Sequence, residues 1–354
     1  MVGAVTPVAV HARGTLTAVL AALAFGITTP LIATSSTGTG AFAVAALLYL
    51  GAAFASLASM PFVRRSGPPF GKAQLPRVVA MALVGAALAP TLLAWGIQRT
   101  GSIAAALALN LEAVFSIVLA RLFFKEVIGG RVLLAMAFTL CGGALVAWAG
   151  AGPSSDLFGI GLLAVAGATF AWAVDNTLSR PLADFEPGTV VAAKGLLGAL
   201  VTCAIAVGTQ SVWPSGRALV VLLLCGATGY GLSLRLYLMA QRQLGAGRTA
   251  SIFAFGPLIG AALGWALGDT PGGLGTLLGA AAFAVGIVLH ATEHHGHPHV
   301  HLPVEHTHAH THDDGHHLHA HQAPVAGEHT HPHSHGQLVH EHEHPPDLHH
   351  THTH

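Results

Sequence analysis

Five residues with chemically capable side chains lie inside otherwise apolar stretches of this 354-residue chain: Glu112, Trp172, Asp175, Asn176 and Lys194. A carboxylate in such a place can carry a proton or pair with a cation, an amide or indole N–H can orient a bound solute, and an ammonium can neutralise a nearby acid. A second chemistry sits at the C-terminal end, where the last 62 residues hold 24 of the 26 histidines. His294, His295, His297, His299, His301, His306, His308, His310, His312, His316, His317, His319 and His321, with Asp313 and Asp314 among them, offer closely spaced imidazoles. Such donors suit Ni, Co, Zn or Cu. Outside that segment no cofactor is called for.

The stretches that must position these residues are those of a membrane protein. Hydrophobic residues make up 53% of the chain and charged residues only 8%, with mean hydropathy +0.62. A soluble domain carries roughly a quarter charged residues, so the chain reads as integral to a lipid bilayer up to about residue 291. Net charge is zero, and nothing suggests nucleic acid as a partner. Cys141, Cys203 and Cys225 fall inside apolar runs without CxxC spacing and read as buried small hydrophobes.

Ten apolar runs follow one another: 15–34, 41–63, 75–96, 101–121, 130–150, 157–179, 188–208, 217–239, 247–268 and 272–291. Each has about the 20 residues that one helix needs to cross the bilayer core. The first run resembles a signal peptide in position, but its apolar part is longer than a usual one and nine more spans follow. Arginine and lysine fix the orientation, since cytoplasmic loops are enriched in them. An inside N-terminus places Arg13, Arg64, Arg65, Lys72, Arg77, Arg121, Lys125, Arg131, Arg180, Arg242 and Arg248 on the cytoplasmic side and leaves only Arg99 and Arg217 outside. Both termini are then cytoplasmic, in a cell (inner) membrane. Trp95, Trp148, Trp213 and Trp265 fall at outer span ends, where amphipathic rings favour the interface.

The stretch Thr100 to Glu126, TGSIAAALALNLEAVFSIVLARLFFKE, reads as one long helix with Glu112 about halfway along it. Shifting the sequence by roughly 144 positions lays Leu244 to Thr270 over it, matching Gly101 with Gly245 and Leu119 with Leu263, and then Gly129 with Gly273, Leu133 with Leu277 and Gly142 with Gly286. One offset across two helices indicates an internal repeat of five helices. Five is odd, so the second copy enters the membrane in the opposite sense, as in secondary transporters that alternate access between inverted repeats. The expected fold is therefore all-α and integral to the membrane. It has ten transmembrane helices in two inverted five-helix repeats, 12–150 and 155–291, and a disordered His-rich tail, 293–354.

FGITTP near 25–30, LNLEAVFSIVLARLFFKE, the Gly142-Gly143 pair, AWAV and FGPLIGAALGWALGD resemble the EamA-type members of the drug/metabolite transporter superfamily over about 12–291. That resemblance implies a carrier of small solutes and no enzymatic activity. The family often has Pro after the Glu; Ala113 stands there, while the second copy keeps Pro257.

Every fourth residue through Glu112 is small (Ala104, Ala108, Ser116, Ala120), and the second copy shows Gly256, Gly260, Gly264 and Gly268. Small residues at that spacing let membrane helices approach closely, so Glu112 is expected to face the bundle. It either locks a helix pair or takes part in transport. Asn110 is expected to face away from it. Asp175 and Lys194 flank the 180–188 loop at similar depth on neighbouring helices and are expected to pair, holding a hairpin together or lining a vestibule with Trp172 and Asn176. Arg235 is expected to snorkel to the cytoplasmic face. Pro30, Pro90, Gly226, Gly229 and Gly231 can loosen backbone near a cavity or merely serve packing. Three readings stand: an exporter of a small metabolite or drug-like solute, a transition-metal efflux carrier fed by its tail, and a non-transporting membrane protein that buffers or senses metal. A homodimer is compatible with all three.

Overall fold

The computed structural model of the chain describes residues 7–60, 71–124, 128–149, 155–182, 185–244, 246–269, 273–291, 296–301, 304–310, 329–335 and 338–343. Apolar residues and alanines dominate each helix, and backbone polar groups inside a bilayer have to be satisfied within the segment, which a helix alone achieves. The helices are α1 (Pro7–Gly26), α2 (Thr28–Ser35), α3 (Ala41–Ser59), α4 (Leu75–Met81), α5 (Ala89–Thr100), α6 (Ser102–Ala108), α7 (Leu111–Phe124), α8 (Gly130–Ala149) and α9 (Ser155–Ser179). They continue with α10 (Pro187–Gly208), α11 (Gly216–Cys225), α12 (Ser233–Leu244), α13 (Ala246–Phe253), α14 (Gly256–Ala266) and α15 (Leu274–Ala291).

Several of these run on from one another. Eight stretches among the described residues are long and apolar enough to cross a membrane: Arg13–Ser35, Ala41–Ser59, Lys72–Thr100, Ser102–Phe123, Gly130–Ala149, Asp156–Leu182, Pro187–Gly208 and Gly216–Gln241. The ninth and tenth apolar runs appear as the shorter helices Gly256–Ala266 and Leu274–Leu289. The ninth is short because it is cut from α13 at Ala254-Phe255.

The repeat shows itself in irregularities as much as in helices. A π-helical turn joins α4 to α5 at Ala82–Leu88, and another joins α11 to α12 at Gly226–Leu232, 144 residues later. In the first, Pro90 lies at the start of α5 and offers no N–H to the preceding turn, which suits a locally widened backbone. In the second, a Cβ added at Gly231 would lie 3.1 Å from the α3 backbone at Ala52, so the widened segment rests closely on that helix. The fourth span, expected as one helix, is broken into α6 and α7 at Leu109-Asn110. The break needs no proline: Asn110 N–H donates to Leu107 O, Glu112 N–H to Leu109 O and Ala113 N–H to Asn110 O, a run of tight three-residue steps. Glu112 thus stands in the first turn of α7 instead of mid-helix.

Pairing runs between the two halves. The main packed pairs are α1 with α12, α3 with α10, α5 with α9, α6 with α14 and α8 with α15. A shift of 144 turns the α1–α12 pair into the α9–α5 pair and turns α3–α10 and α8–α15 each into itself, as an exchange about a twofold axis would, whereas α6–α14 maps onto α13–α7, which is not one of the main packed pairs. Glycine makes close contacts within these pairs possible. A Cβ at Gly142 would lie 3.0 Å from Gly279 O, and one at Gly279 would lie 2.9 Å from Gly142 O, so α8 and α15 meet backbone to backbone. Large apolar side chains such as Phe54, Leu122, Phe123, Trp148 and Trp265 face outward, as lipid contact allows. Cys141 is also exposed, Cys203 is half-buried and only Cys225 is buried, so the expectation of three buried thiols holds for one.

In the tail, where no regular structure is expected, the described residues form strands β1 (Gly296–His301), β2 (Val304–His310), β3 (His329–His335) and β4 (Leu338–Glu343). β1 pairs antiparallel with β4 and β2 with β3. The alternation of His with Thr, Ala and Val has the period of two that extended backbone accepts. Two-stranded ladders of this kind are marginal in water.

Candidate functional site

Four of the five sequence-predicted site residues come from α9 and α10, and Glu112 reaches them from α7. Asp175 and Lys194 are both buried and form the ion pair that their equal depth predicts. At the next position on α9, the Asn176 amide donates to Glu112 Oε1 at 2.8 Å. That bond joins the two halves of the chain beside the α6–α7 break. Asp175 and Asn176 are consecutive on α9, so the Glu112 contact adjoins the ion pair. Asn176 is exposed and Glu112 half-buried, whereas Asp175, Lys194 and Trp172 are buried, so the cluster has an accessible side and a closed side. Asn110, expected to face away, is itself buried, and its amide donates to Leu107 O at 3.2 Å.

The closed side is aromatic. Trp172 Nε1–H donates to Gly85 O at 3.0 Å, and the Tyr49 hydroxyl donates to the same oxygen at 2.8 Å. Gly85 belongs to the first π-helical turn, whose altered bonding leaves a carbonyl able to accept two side-chain donors. A Cβ at Gly85 would lie 2.7 Å from the Cβ of Asp175, so glycine there also makes room for the ion pair. Phe25 meets Trp172 edge-on with centroids 6.3 Å apart, Tyr230 meets Tyr49 at 5.6 Å, and Phe253 meets Tyr237 at 5.0 Å. Tyr49, Gly85, Phe25 and Tyr230 escape a reading of the sequence, because Tyr49 and Phe25 look like any other apolar-run residue. The one available signal is that Gly85 and Gly229 stand at the repeat offset; Thr28, which Trp172 overlies at that offset, packs on Gly229 as Trp172 meets Gly85.

The ends of the bundle differ. At the end carrying Ser36–Gly40, Gly101 and Asp269, cross-links join the halves. Asp269 Oδ2 accepts from Ser102 N–H at 2.8 Å and from the Ser102 hydroxyl at 2.7 Å. Gly40 N–H donates to Val212 O at 2.9 Å, and within the first half Gln98 donates to Ser36 O and Thr39 O at the same end. Gly101, with φ +77, makes the sharp turn that brings α6 to Asp269. At the other end Arg235, expected to snorkel, is instead held by Ser59 Oγ and lies 3.9 Å from Glu186. Glu186 caps α10, accepting from Gly188 N–H at 3.0 Å and Thr189 N–H at 2.6 Å. Partial burial pushes its carboxyl up, but these bonds and Arg235 outweigh burial and hold it below the usual carboxylate value.

Of the tail histidines singled out, His297, His299, His301, His306, His308 and His310 lie on β1 and β2. His294, His295, His312, His316, His317, His319 and His321 lie outside the described residues.

Paired repeats around a buried polar cluster define a multi-pass helical membrane protein of the two-repeat carrier type. The EamA-like transporter family matches residues 12–148 and 159–292, and the chain belongs to that family. Among solved structures, one titled "Crystal structure of protein" is similar at 17% identity with a TM-score of 0.60, over 79% of this chain and 98% of that one, a likeness of fold. No curated protein matches.

The ion pair gives a direct check on the site. Removing one partner leaves a buried charge unmatched, at a cost of roughly 3–5 kcal/mol, whereas removing both is milder. Asp175→Asn and Lys194→Met are expected to lower folded yield and melting temperature singly, and the double variant to recover part of the loss, measured by fluorescence-detected size exclusion with heating. Strictly additive losses would show that the two charges do not support one another.

Proposed function

We propose that the chain is a secondary transporter that exports a small organic solute, with Glu112 at the point where solute and proton meet. Ten spans in the inner membrane with both termini in the cytoplasm suit the distribution of Arg and Lys along the chain. Membership of a transporter family supports the class. The observation that carries the site is the Glu112–Asn176 hydrogen bond between the halves. A group there gains or loses its partner when one half moves against the other, and intramembrane ionisable residues with such partners mark solute and ion pathways. The two carboxylates of the cluster are engaged by N–H donors, Asp175 by Lys194 and Glu112 by Asn176, which favours an organic cargo over a bare metal ion.

Replacing Glu112 with Gln keeps the size and removes the titratable group. In proteoliposomes the variant is expected to insert normally and to lose transport at least about tenfold, together with its pH dependence. Full, still pH-dependent transport would reduce Glu112 to a packing residue.

The tail is proposed to bind Ni, Co, Zn or Cu as a buffer or sensor beside the transport path. Deleting 293–354 is expected to leave a bundle that withstands detergent as the full chain does, and to abolish metal binding in equilibrium dialysis. In the full chain that binding is expected to weaken below about pH 6.5, since a protonated imidazole has no lone pair to offer. Loss of Ni, Co or Zn export by the truncated form, from vesicles in which the full chain exports it, would favour the metal-carrier reading.

A further inference from the structure

The polar atoms at the site select the kind of solute. Among the described residues, the buried side-chain polar atoms without a partner are Ser56 Oγ, Asn110 Oδ1, Asp175 Oδ1 and Gln243 Oε1. Of these only Asp175 Oδ1 belongs to the cluster, and a carboxylate oxygen beside an ion pair can only accept. An unpartnered buried acceptor is costly, and the group that relieves it has to be a donor. A solute rich in acceptors, such as a carboxylate or a phosphate, would add to the deficit.

Charge points the same way. Lys194 is matched by Asp175, and Arg235 lies against Glu186, whereas Glu112 is met by a neutral amide. The cluster of Glu112, Asp175 and Lys194 therefore carries one excess negative charge when all three are ionised. Tyr237 meets Phe253 edge-on at 5.0 Å, Phe253 meets Phe25 at 5.3 Å, and Phe25 packs edge-on against Trp172 beside the cluster. Faces of such rings attract cations.

The repeat shows what the rest of the solute must tolerate. At the offset of 144, Glu112 corresponds to Gly256, Asp175 to Leu31, Asn176 to Ile32 and Lys194 to Leu50. The polar cluster draws on both halves, and the positions that the offset relates to it are apolar.

We infer that the solute is an amphipathic amine, with a protonated nitrogen that donates to Glu112 near the unpartnered Asp175 oxygen, and an apolar remainder that lies along the Tyr237 and Phe253 rings. The inference rests on the transporter reading and names its substrate class. Titration of the full-length protein in lipid nanodiscs with phenethylamine, phenylacetamide and phenylacetate, against empty nanodiscs, compares one apolar skeleton bearing three heads. Phenethylamine is expected to bind at least about tenfold more tightly than phenylacetate, with phenylacetamide between them, because a site that pairs a donor rejects an analogue without it. Glu112→Gln is expected to erase the preference for the amine. Equal or tighter binding of phenylacetate, no binding of any of the three, or a preference that survives in Glu112→Gln would overturn the inference. The comparison on the unaltered protein stands even if that variant fails to fold. Vesicles loaded with a cell metabolite extract separate the two readings. Solute flux without an amine preference overturns the substrate class alone, and absence of any flux overturns the transporter reading.

Discussion

Hydrocarbon offers no hydrogen bonds, so every polar group that this chain carries into the bilayer has to find its partner inside the bundle. Most of the architecture follows from that. Backbone groups are spent within helices, threonine hydroxyls such as those of Thr139, Thr177 and Thr202 fold back on carbonyls of the preceding turn, and Asp175 is matched by Lys194. The departures are few and adjacent. A π-helical turn exposes the Gly85 carbonyl, which takes up Trp172 and Tyr49, and a broken fourth span sets Glu112 at a helix start where Asn176 reaches it. Irregular backbone at membrane depth is tolerated where it is buried in protein or lines a cavity, and here it surrounds the charged cluster.

The same constraint explains why the halves are held by glycine and alanine. Lipid is as apolar as leucine, so helix association draws on close packing instead of a hydrophobic driving force. Gly142 against Gly279 supplies such packing between α8 and α15. The Asp269–Ser102 contact closes one end by polar bonds, and the Arg235 contacts to Ser59 and Glu186 span the other. Polar bonds at the ends and a charged contact in the middle are the places where one half can change its grip on the other without dismantling the packed helix pairs.

Much of this was legible in the sequence, because hydropathy and repeat offset are one-dimensional signals. The apolar runs, the offset of 144 and the depth match of Asp175 and Lys194 all have direct counterparts in the structure. What escaped depends on neighbours that no spacing reveals. The fourth span looked continuous, since nothing in LNLEA breaks a helix by propensity; the tight steps around Asn110 come from the packed setting. Arg235 looked like a residue free to reach the interface, and its partners Ser59 and Glu186 lie far away in sequence. Tyr49 carries no mark of the Gly85 carbonyl that it serves, and the strands of the tail come from an alternation of residues whose composition speaks only of a missing core.

The central claim is that the two halves move against one another around Glu112. Amide hydrogen exchange on the full-length protein in nanodiscs, with and without a transported solute, tests it most directly. Segments 36–40, 98–103 and 267–269 at one end, and 176–182 and 233–244 at the other, are expected to change protection in opposite directions. Changes of the same sign at both ends, or at one end only, would contradict it.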